Sequence, residues 1–138
     1  MMDLMMIHVI KLEPGQDLIK EINFFLMKAK IEAACFVSAV GSLIYLKLRL
    51  ANQSTYSEYK KNYEILNLSG TLSNKGCHVH GIFSDSVGLV TGGHLGAEGC
   101  VIRTTAEIII MELTEWKFER LADKSTGYLE LVATKKES

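Results

Sequence analysis

From residue 77 to residue 95 the chain reads CHVHGIFSDSVGLVTGGHL, and this stretch contains three of its four histidines. Residues 77–83 and 89–95 have strand-like composition, and the glycine-containing segment between them indicates a turn. Residues two apart on a strand point to the same face, with α-carbons roughly 6.5 to 7 Å apart. His78 and His80 therefore form a candidate chelating pair, and the turn decides whether His94 joins them.

A three-residue loop brings the third histidine to this pair. If residues 86–88 form that loop, with its glycine in the left-handed conformation, Asp85 pairs with Leu89. Counting outward from that pair places His80 directly opposite His94. All three imidazole rings then lie on one face of the hairpin.

Two other geometries move the third histidine away from the pair. A two-residue loop of residues 86–87 pairs Val79 with His94 and sends His94 to the opposite face. Val87 is a poor residue for the positive φ that so tight a turn requires, which favours the longer loop. A β-bulge at the glycine pair 92–93 would also shift the register by one residue.

Three histidines without an obvious fourth protein ligand are typical of an open metal site, in which water or substrate fills the last position. Zinc is the default ion for imidazole ligands, so the sequence predicts a zinc site formed by His78, His80 and His94. The alternative is that these are unrelated surface or core histidines. His8 lies far away in the sequence and is expected to be an ordinary strand residue.

The rest of the chain predicts an α+β fold, with a mainly antiparallel β-sheet packed on one principal α-helix. Apolar residues recur at three- and four-residue steps over 17–30, which indicates an amphipathic helix. The connections are short, whereas parallel strands need longer crossovers. Apolar and alternating segments bounded by turn residues indicate further strands at 4–12, 33–40, 45–50, 63–72, 100–113 and 128–133.

Local composition predicts where the strands are interrupted. Gly41-Ser42 is expected to end the apolar segment 33–40 before the alternating segment begins. The polar segment 52–61 is expected to be a loop. Near the C-terminus, three apolar side chains are assigned to the core or an interface: Trp116, Phe118 and Leu121.

Three charged residues are candidates for catalysis beside a bound metal. Arg103, Thr105 and Glu107 share one face of their predicted strand, so they are candidates for lining a pocket. Glu98 follows His94 in a glycine-rich turn and is a candidate proton shuttle for metal-bound water. The alternatives are a cross-strand ion pair or subunit contact for Arg103 and Glu107, and a solvated loop position for Glu98.

Length and composition limit the class of protein. The 138 residues fit a single domain, 1–138, and the content of 48% hydrophobic and 22% charged residues argues against a disordered tail or a fibre. Fifteen Lys and Arg against sixteen Asp and Glu give a formal charge of -1, so there is no overall cationic field for unspecific phosphate binding. Any role with nucleic acid would need a local patch or an assembly.

The compartment is predicted from the chain's start and its cysteines. The opening residues have no basic region or cleavage site of a signal peptide, and no apolar run approaches the roughly 18 residues of a membrane span. We expect a cytoplasmic protein without membrane contact. Cys35, Cys77 and Cys100 have no CxxC spacing, so buried reduced thiols are expected rather than a disulfide framework or a thiolate zinc site.

Several segments, in this order along the chain, resemble the PPC domain, the "plants and prokaryotes conserved" domain. The resemblance runs from about residue 6 to residue 113, and the linked segments are far more specific than any one of them. The segments are LEPGQDL at 12–18, VGSL at 40–43, YEILNLSG at 63–70, HVH at 78–80, GGHL at 92–95 and TTAE at 104–107.

The resemblance implies an α+β fold with an antiparallel sheet packed on a helix, assembled as a homotrimer. Plant members carry AT-hooks, bind A·T-rich DNA and contact transcription factors through a segment resembling 63–66. This sequence contains no Arg-Gly-Arg-Pro hook, so direct DNA binding is not expected to follow from the resemblance. In prokaryotic members the positions of His78, His80 and His94 are similar to a zinc site.

Two functions are therefore predicted. The first is a trimeric, metal-binding PPC-domain protein that acts as an assembly or regulatory module, in contact with DNA or a transcription factor. The second is a small zinc-dependent enzyme acting on a carbonyl or keto-hydroxy acid bound at the metal. The three-histidine arrangement resembles that of acetolactate decarboxylase, and this analogy supports the second prediction.

Overall fold

The computed structural model describes residues 5–138, and within this range it contains one α-helix and nine strands. The α+β class with a mainly antiparallel sheet is therefore confirmed. Leu4, which the predicted first strand includes, lies outside the described residues. In chain order the elements are β1 (Met6–Leu12), α1 (Leu18–Lys28), β2 (Ala34–Arg49), β3 (Ser57–Tyr59), β4 (Tyr63–Ser73), β5 (Gly76–Asp85), β6 (Val90–Leu95), β7 (Val101–Glu112), β8 (Trp116–Ala122) and β9 (Leu129–Lys135).

Most strands form one antiparallel sheet with the order β1-β7-β2-β4-β5-β6, and β3 pairs with β2. The end of β2 also pairs with β6, where Leu48 faces Leu95 and Arg49 faces His94. Because β6 pairs with β5 as well, strands β2, β4, β5 and β6 close on one another. Strands β8 and β9 form a separate antiparallel hairpin.

Helix α1 begins at an aspartate cap and covers the core. Asp17 accepts a hydrogen bond from the backbone N–H of Lys20 at 3.2 Å, which satisfies a free donor of the first turn. The predicted helix over 17–30 ends two residues earlier, at Lys28, and Lys30 has a left-handed φ of 56°. The buried side chains of the helix, which join those of the sheet in the core, are Leu18, Ile19, Ile22 and Leu26.

One row of directly paired residues crosses five strands of the sheet. From β5 to β1, the row consists of His78, Thr71, Cys35, Met111 and Ile7. Side chains of directly paired residues lie on the same face of an antiparallel sheet. The adjacent residue of β1, His8, points to the opposite face, where its ring contacts Phe25 of α1. The histidines of β5 therefore lie on the face that is turned away from the helix.

The prediction that Gly41-Ser42 ends a strand is wrong. Strand β2 continues through both residues, and its register against β7 shifts directly after Gly41. Gly41 has no side chain to separate the two backbones, since a Cβ there would lie 2.6 Å from the Cα of Ala106. The hydroxyls of Ser42 and Thr104 share a hydrogen bond of 2.5 Å. Close packing against β7 thus replaces the expected turn.

Two short elements were not predicted. The polar segment 52–61 is not entirely a loop, because Ser57–Tyr59 pairs with Leu46–Leu48 at the edge of the sheet as β3. The predicted core or interface residues near the C-terminus lie on β8, which pairs with β9. Phe118 is buried, whereas Trp116 and Leu121 are exposed in this chain.

Within residues 5–138, no helix is long and apolar enough to cross a membrane.

All three cysteines are free thiols, as expected. Only Cys100 is fully buried, whereas Cys35 and Cys77 are half-buried. Burial raises the pKa of the Cys100 thiol to about 11, and burial also raises the pKa of Cys77. The thiolate form is the reactive one, so the Cys100 side chain is held in an inert state.

Candidate metal centre

The hairpin of β5 and β6 has the register predicted from its turn. The backbone N–H of Asp85 donates to the carbonyl of Leu89 at 2.9 Å, and Gly88 has a left-handed φ of 82°. The loop therefore contains three residues, and the ladder pairs His80 with His94. Thr91, Gly92 and Gly93 pair in register, so the glycine pair introduces no bulge.

The carboxylate of Asp85 holds this loop closed. Its Oδ1 accepts hydrogen bonds from the backbone N–H groups of Val87 at 3.0 Å and Leu89 at 2.9 Å. Its Oδ2 accepts a bond from Nζ of Lys61 at 2.9 Å, which reaches over from the start of β4. These contacts, led by the Lys61 bond, lower the pKa of Asp85. The Asp85 side chain thus stabilises the loop on which the register of the histidines depends.

The three imidazoles converge on one face of the hairpin. One ligand nitrogen from each of His78, His80 and His94 lies within 4.8 Å of the others. The Nε2 atoms of His78 and His80 are 3.1 Å apart, and the ring centroids of His80 and His94 are 5.7 Å apart. His80 is exposed, whereas His78 and His94 are half-buried. The cluster is therefore open to ligands on one side.

The electrostatics of the cluster favour neutral imidazole, which is the form that binds metals. Burial, followed by the positive charge of Arg49, lowers the pKa of His94 to about 4. Burial and the neighbouring His80 lower the pKa of His78. Nδ1 of His94 is buried, and no group among the described residues forms a hydrogen bond with it. Two imidazoles with lowered pKa values and a buried ring atom without a hydrogen-bond partner among the described residues fit the requirements of a metal ion.

An open pocket of 510 Å³ adjoins the histidines. His78 and His94 form part of its wall, and the β8–β9 hairpin forms another part. The Nη2 atom of Arg120 donates to Oγ1 of Thr71 at 2.6 Å and so joins this hairpin to the sheet. A metal at the histidines would therefore be next to a cavity that can admit a small molecule.

Comparison with known proteins identifies the family. The family model of the Plants and Prokaryotes Conserved (PCC) domain matches residues 2–114. The chain belongs to this family. The match covers the helix and strands β1 to β7, and the predicted resemblance to the PPC domain is thereby confirmed.

Curated relatives contain the PPC domain as a part of longer chains. The bifunctional protein GlmU of a Synechococcus strain is 43% identical over 125 residues, which cover 91% of this chain. The AT-hook motif nuclear-localized protein 14 of Arabidopsis thaliana is 32% identical over 96 residues, or 65% of this chain. The matched segments span only 20% and 23% of the length of these two relatives.

Two solved structures of similar proteins have the same PPC-domain fold. A hypothetical protein from Salmonella enterica is 32% identical, with a TM-score of 0.93, and the match covers 99% of this chain and 98% of that one. A metal-containing protein from Archaeoglobus fulgidus is 28% identical, with a TM-score of 0.81, and the match covers 92% and 93% of the two chains. The first match includes almost the whole β8–β9 hairpin, which lies beyond the family match.

The three predicted catalytic residues occupy other parts of the PPC domain. Glu98 forms an ion pair of 2.9 Å with Lys20 of α1, and this contact lowers its pKa. Arg103 and Glu107 are exposed on β7, which β2 separates from the histidine strands. None of the three is among the described residues that line the pocket beside the histidines. A role for them in catalysis stays a prediction.

His8 is a strand residue of β1, as expected, and it lies away from the cluster. Its Nε2 is 2.8 Å from a carboxylate oxygen of Glu112 on β7. Its ring packs edge-on against Phe25 at a centroid distance of 5.4 Å. The fourth histidine of the chain thus has a structural environment of its own.

Sequence reasoning missed the basic side chains that surround the pocket. Arg49 appeared only as a member of an alternating strand, and Arg120 was not considered. Both line the pocket together with Lys75. These residues are 26 or more positions apart in the chain, so no local motif contains them. Only the direct pairing of Arg49 with His94 links one of them to the histidine pattern, and that pairing depends on the closure of the sheet.

Proposed function

We propose that the chain binds one zinc ion through the imidazoles of His78, His80 and His94. The observation that carries this proposal is the convergence of three ligand nitrogens within 4.8 Å of one another on one face of the hairpin. Imidazole donors suit zinc, and three protein ligands leave one position for water or another ligand. The similar protein from Archaeoglobus fulgidus is described as metal-containing, which supports the presence of a metal.

Elemental analysis tests the zinc proposal directly. Protein purified without an affinity tag or added metal is compared with the triple variant His78→Ala, His80→Ala, His94→Ala, at matched folding by circular dichroism. We expect about one zinc per chain in the parent and almost none in the triple variant. His8→Ala is the matched control, because His8 packs against α1 and should not alter the zinc content. Absence of metal from the parent protein would refute the proposal.

We propose further that residues 1–138 form one PPC-like domain that assembles as a homotrimer through the sheet face turned away from α1. Ile7 and Val9 of β1 lie on that face and are 55% and 74% exposed in the single chain. Val40 of β2 is 47% exposed. It lies on the same face because it pairs with Glu107, which pairs in turn with Lys11, and Lys11 is on the same side of β1 as Ile7 and Val9. A contiguous exposed apolar patch is typical of an interface. Light scattering at micromolar protein should give three times the mass of the chain, 15.4 kDa, and a monomer would contradict the trimer.

As an assembly, the protein would act as a regulatory module associated with a transcription factor or with DNA. The same segment occurs as about a fifth of proteins as different as GlmU and an AT-hook protein, which suits a module that joins chains together. The formal charge of -1 gives little support to direct electrostatic contact with DNA. Fluorescence anisotropy with an A·T-rich duplex tests this role. Affinity that falls steeply with added salt supports direct contact, and undetectable binding at low salt excludes it.

The second candidate function is a small zinc-dependent enzyme acting on a carbonyl or keto-hydroxy acid. The pocket beside the histidines favours it, because His78 and His94 of the cluster line a cavity of 510 Å³. Bound zinc would polarise a carbonyl oxygen or lower the pKa of a bound water. Turnover of such substrates should be lost in His80→Ala. Glu98→Gln, Arg103→Gln and Glu107→Gln test the predicted catalytic groups, and full activity in all three variants would exclude them from catalysis.

A further inference from the structure

The pocket beside the histidines has an excess of positive charge. Arg49 of β2, Lys75 of the turn before β5 and Arg120 of β8 line it, against a single carboxylate from Glu130 of β9. These side chains come from four separate parts of the chain, and the fold brings them to one cavity. An accumulation of like charges is unfavourable unless an anion or solvent compensates for it.

Among the described residues that line the pocket, Glu130 is the only carboxylate, and it cannot balance three positive charges. Within residues 5–138, none of the pocket's charged side chains forms an ion pair; these are Arg49, Lys75, Arg120 and Glu130. The guanidinium of Arg49 lies over the ring of Tyr128 at 5.5 Å from its centroid, which fixes its position without neutralising it. Each guanidinium has five N–H donors, so both arginines keep free donors beside the cavity.

We propose that this pocket binds a small organic anion whose carboxylate or phosphate group is held by Arg49 and Arg120 next to the metal position. The inference rests on the proposed zinc site, because it places the anion where it can also reach the fourth coordination position. The planar fork of arginine matches both kinds of oxyanion and binds them with two parallel hydrogen bonds.

The β8–β9 hairpin would then determine which anion is bound. Arg120, Tyr128 and Glu130 of the pocket wall lie between residues 116 and 135, beyond the family match at 2–114. The histidines and Arg49 belong to the matched part. The part common to the family thus contains the metal position, and the separate hairpin contributes four of the eleven residues that line the pocket. Tyr56 and Tyr128 contribute aromatic rings to the same wall.

Isothermal titration calorimetry on the zinc-loaded protein tests the inference. The probes are pyruvate, its uncharged counterpart acetone, and inorganic phosphate. We expect pyruvate or phosphate to bind and acetone not to bind, and the anion that binds identifies the carboxylate or the phosphate class. Arg49→Gln and Arg120→Gln should each weaken that binding at least about tenfold, as expected for loss of a charged hydrogen bond. Lys124→Gln, which removes a positive charge from the exposed hairpin turn, should leave the affinity unchanged.

Elemental analysis of each titrated sample separates the two proposals. If zinc is present and neither anion binds, or if both arginine variants bind as the parent does, the anion proposal is overturned and the zinc proposal stands. If the parent protein cannot hold zinc, both proposals fail. Arg120→Gln also removes the hydrogen bond to Thr71, so its hairpin can loosen. Arg49→Gln leaves that bond intact and decides the result.

Discussion

His80 of β5 lies directly opposite His94 of β6, and their ring centroids are 5.7 Å apart. A shift of one residue in this ladder would turn His94 toward the core and leave only two histidines on the outer face. The convergence of the three rings therefore depends on a loop of three residues that follows Asp85. The shared face of the three histidines and the three-residue turn that follows Asp85 are two consequences of the same register.

Single substitutions in the cluster should each abolish stable zinc binding. His80→Ala or His94→Ala leaves two imidazole ligands, and we expect the affinity for zinc to fall by more than about 100-fold, since even changes of outer-shell groups cost 10- to 100-fold. Competition with a chromogenic chelator measures the affinity. Equal retention of zinc in both variants and in His8→Ala would show that the histidines are not ligands.

Asp85→Asn should destabilise the protein in a way that depends on pH. The folded state lowers the pKa of Asp85 below 3.8, mainly through the hydrogen bond from Lys61. The stability contributed by the ionised carboxylate is therefore fully present above the unfolded value near 3.8, and it is lost as the pH falls through the lower folded value. Urea midpoints of parent and variant should differ at pH 7 and converge in acid. A difference that does not change with pH would contradict this origin.

Lys61→Gln is the matched variant for the Asp85 contact. It removes the other partner of the 2.9 Å ion pair and leaves the backbone hydrogen bonds of the loop in place. Its effect on stability should follow the same pH dependence, with a smaller amplitude because the Lys61 side chain is 53% exposed and screened by solvent. The register of the hairpin, read from the zinc content at pH 7, should survive in Lys61→Gln.

The sequence was sufficient for the helix, the class of fold and the histidine hairpin because each is set by local rules. Three- and four-residue periodicity indicated α1, and the conformational preferences of Val87 and Gly88 selected the loop that pairs His80 with His94. The predicted end of the strand at Gly41-Ser42 was wrong, because the close packing that decides this position cannot be read from local sequence. The glycine there allows β7 to approach closely, instead of reversing the chain.

The pocket could not be predicted from the sequence, because tertiary contacts between distant segments form it. Strand β3 pairs with β2, and β8 pairs with β9, so both strands depend on tertiary contacts. Arg120 reaches the pocket because the hairpin of β8 and β9 packs on β4, where it donates to Thr71. The cavity is lined by residues from six separate stretches of the chain, and no stretch carries a periodic pattern that would reveal its contribution.

Cys100 should be the least reactive thiol of the folded protein. Burial raises its pKa to about 11, so very little thiolate exists at pH 8. A short pulse of iodoacetamide at pH 8, followed by peptide mass spectrometry, should label Cys100 more slowly than Cys35, which is half-buried. Unfolding in urea should equalise the rates. Rapid labelling of Cys100 in the folded protein would mean that the core around β7 opens readily.

Gly41→Ala should be far more destabilising than an alanine at an open glycine. An added Cβ at Gly41 would meet the backbone of Thr105 and lie 2.6 Å from the Cα of Ala106, where no flexible side chain can move aside. We expect a loss of at least about 3 kcal/mol, since strain in the backbone and overpacking between β2 and β7 add together. The control is Gly127→Ala, where φ is +79° and nothing lies within 4 Å, so only the conformational cost of about 1 kcal/mol remains. Free energies of unfolding from urea titrations compare the two, and equal losses would show that the close approach of β2 and β7 is not needed for the fold.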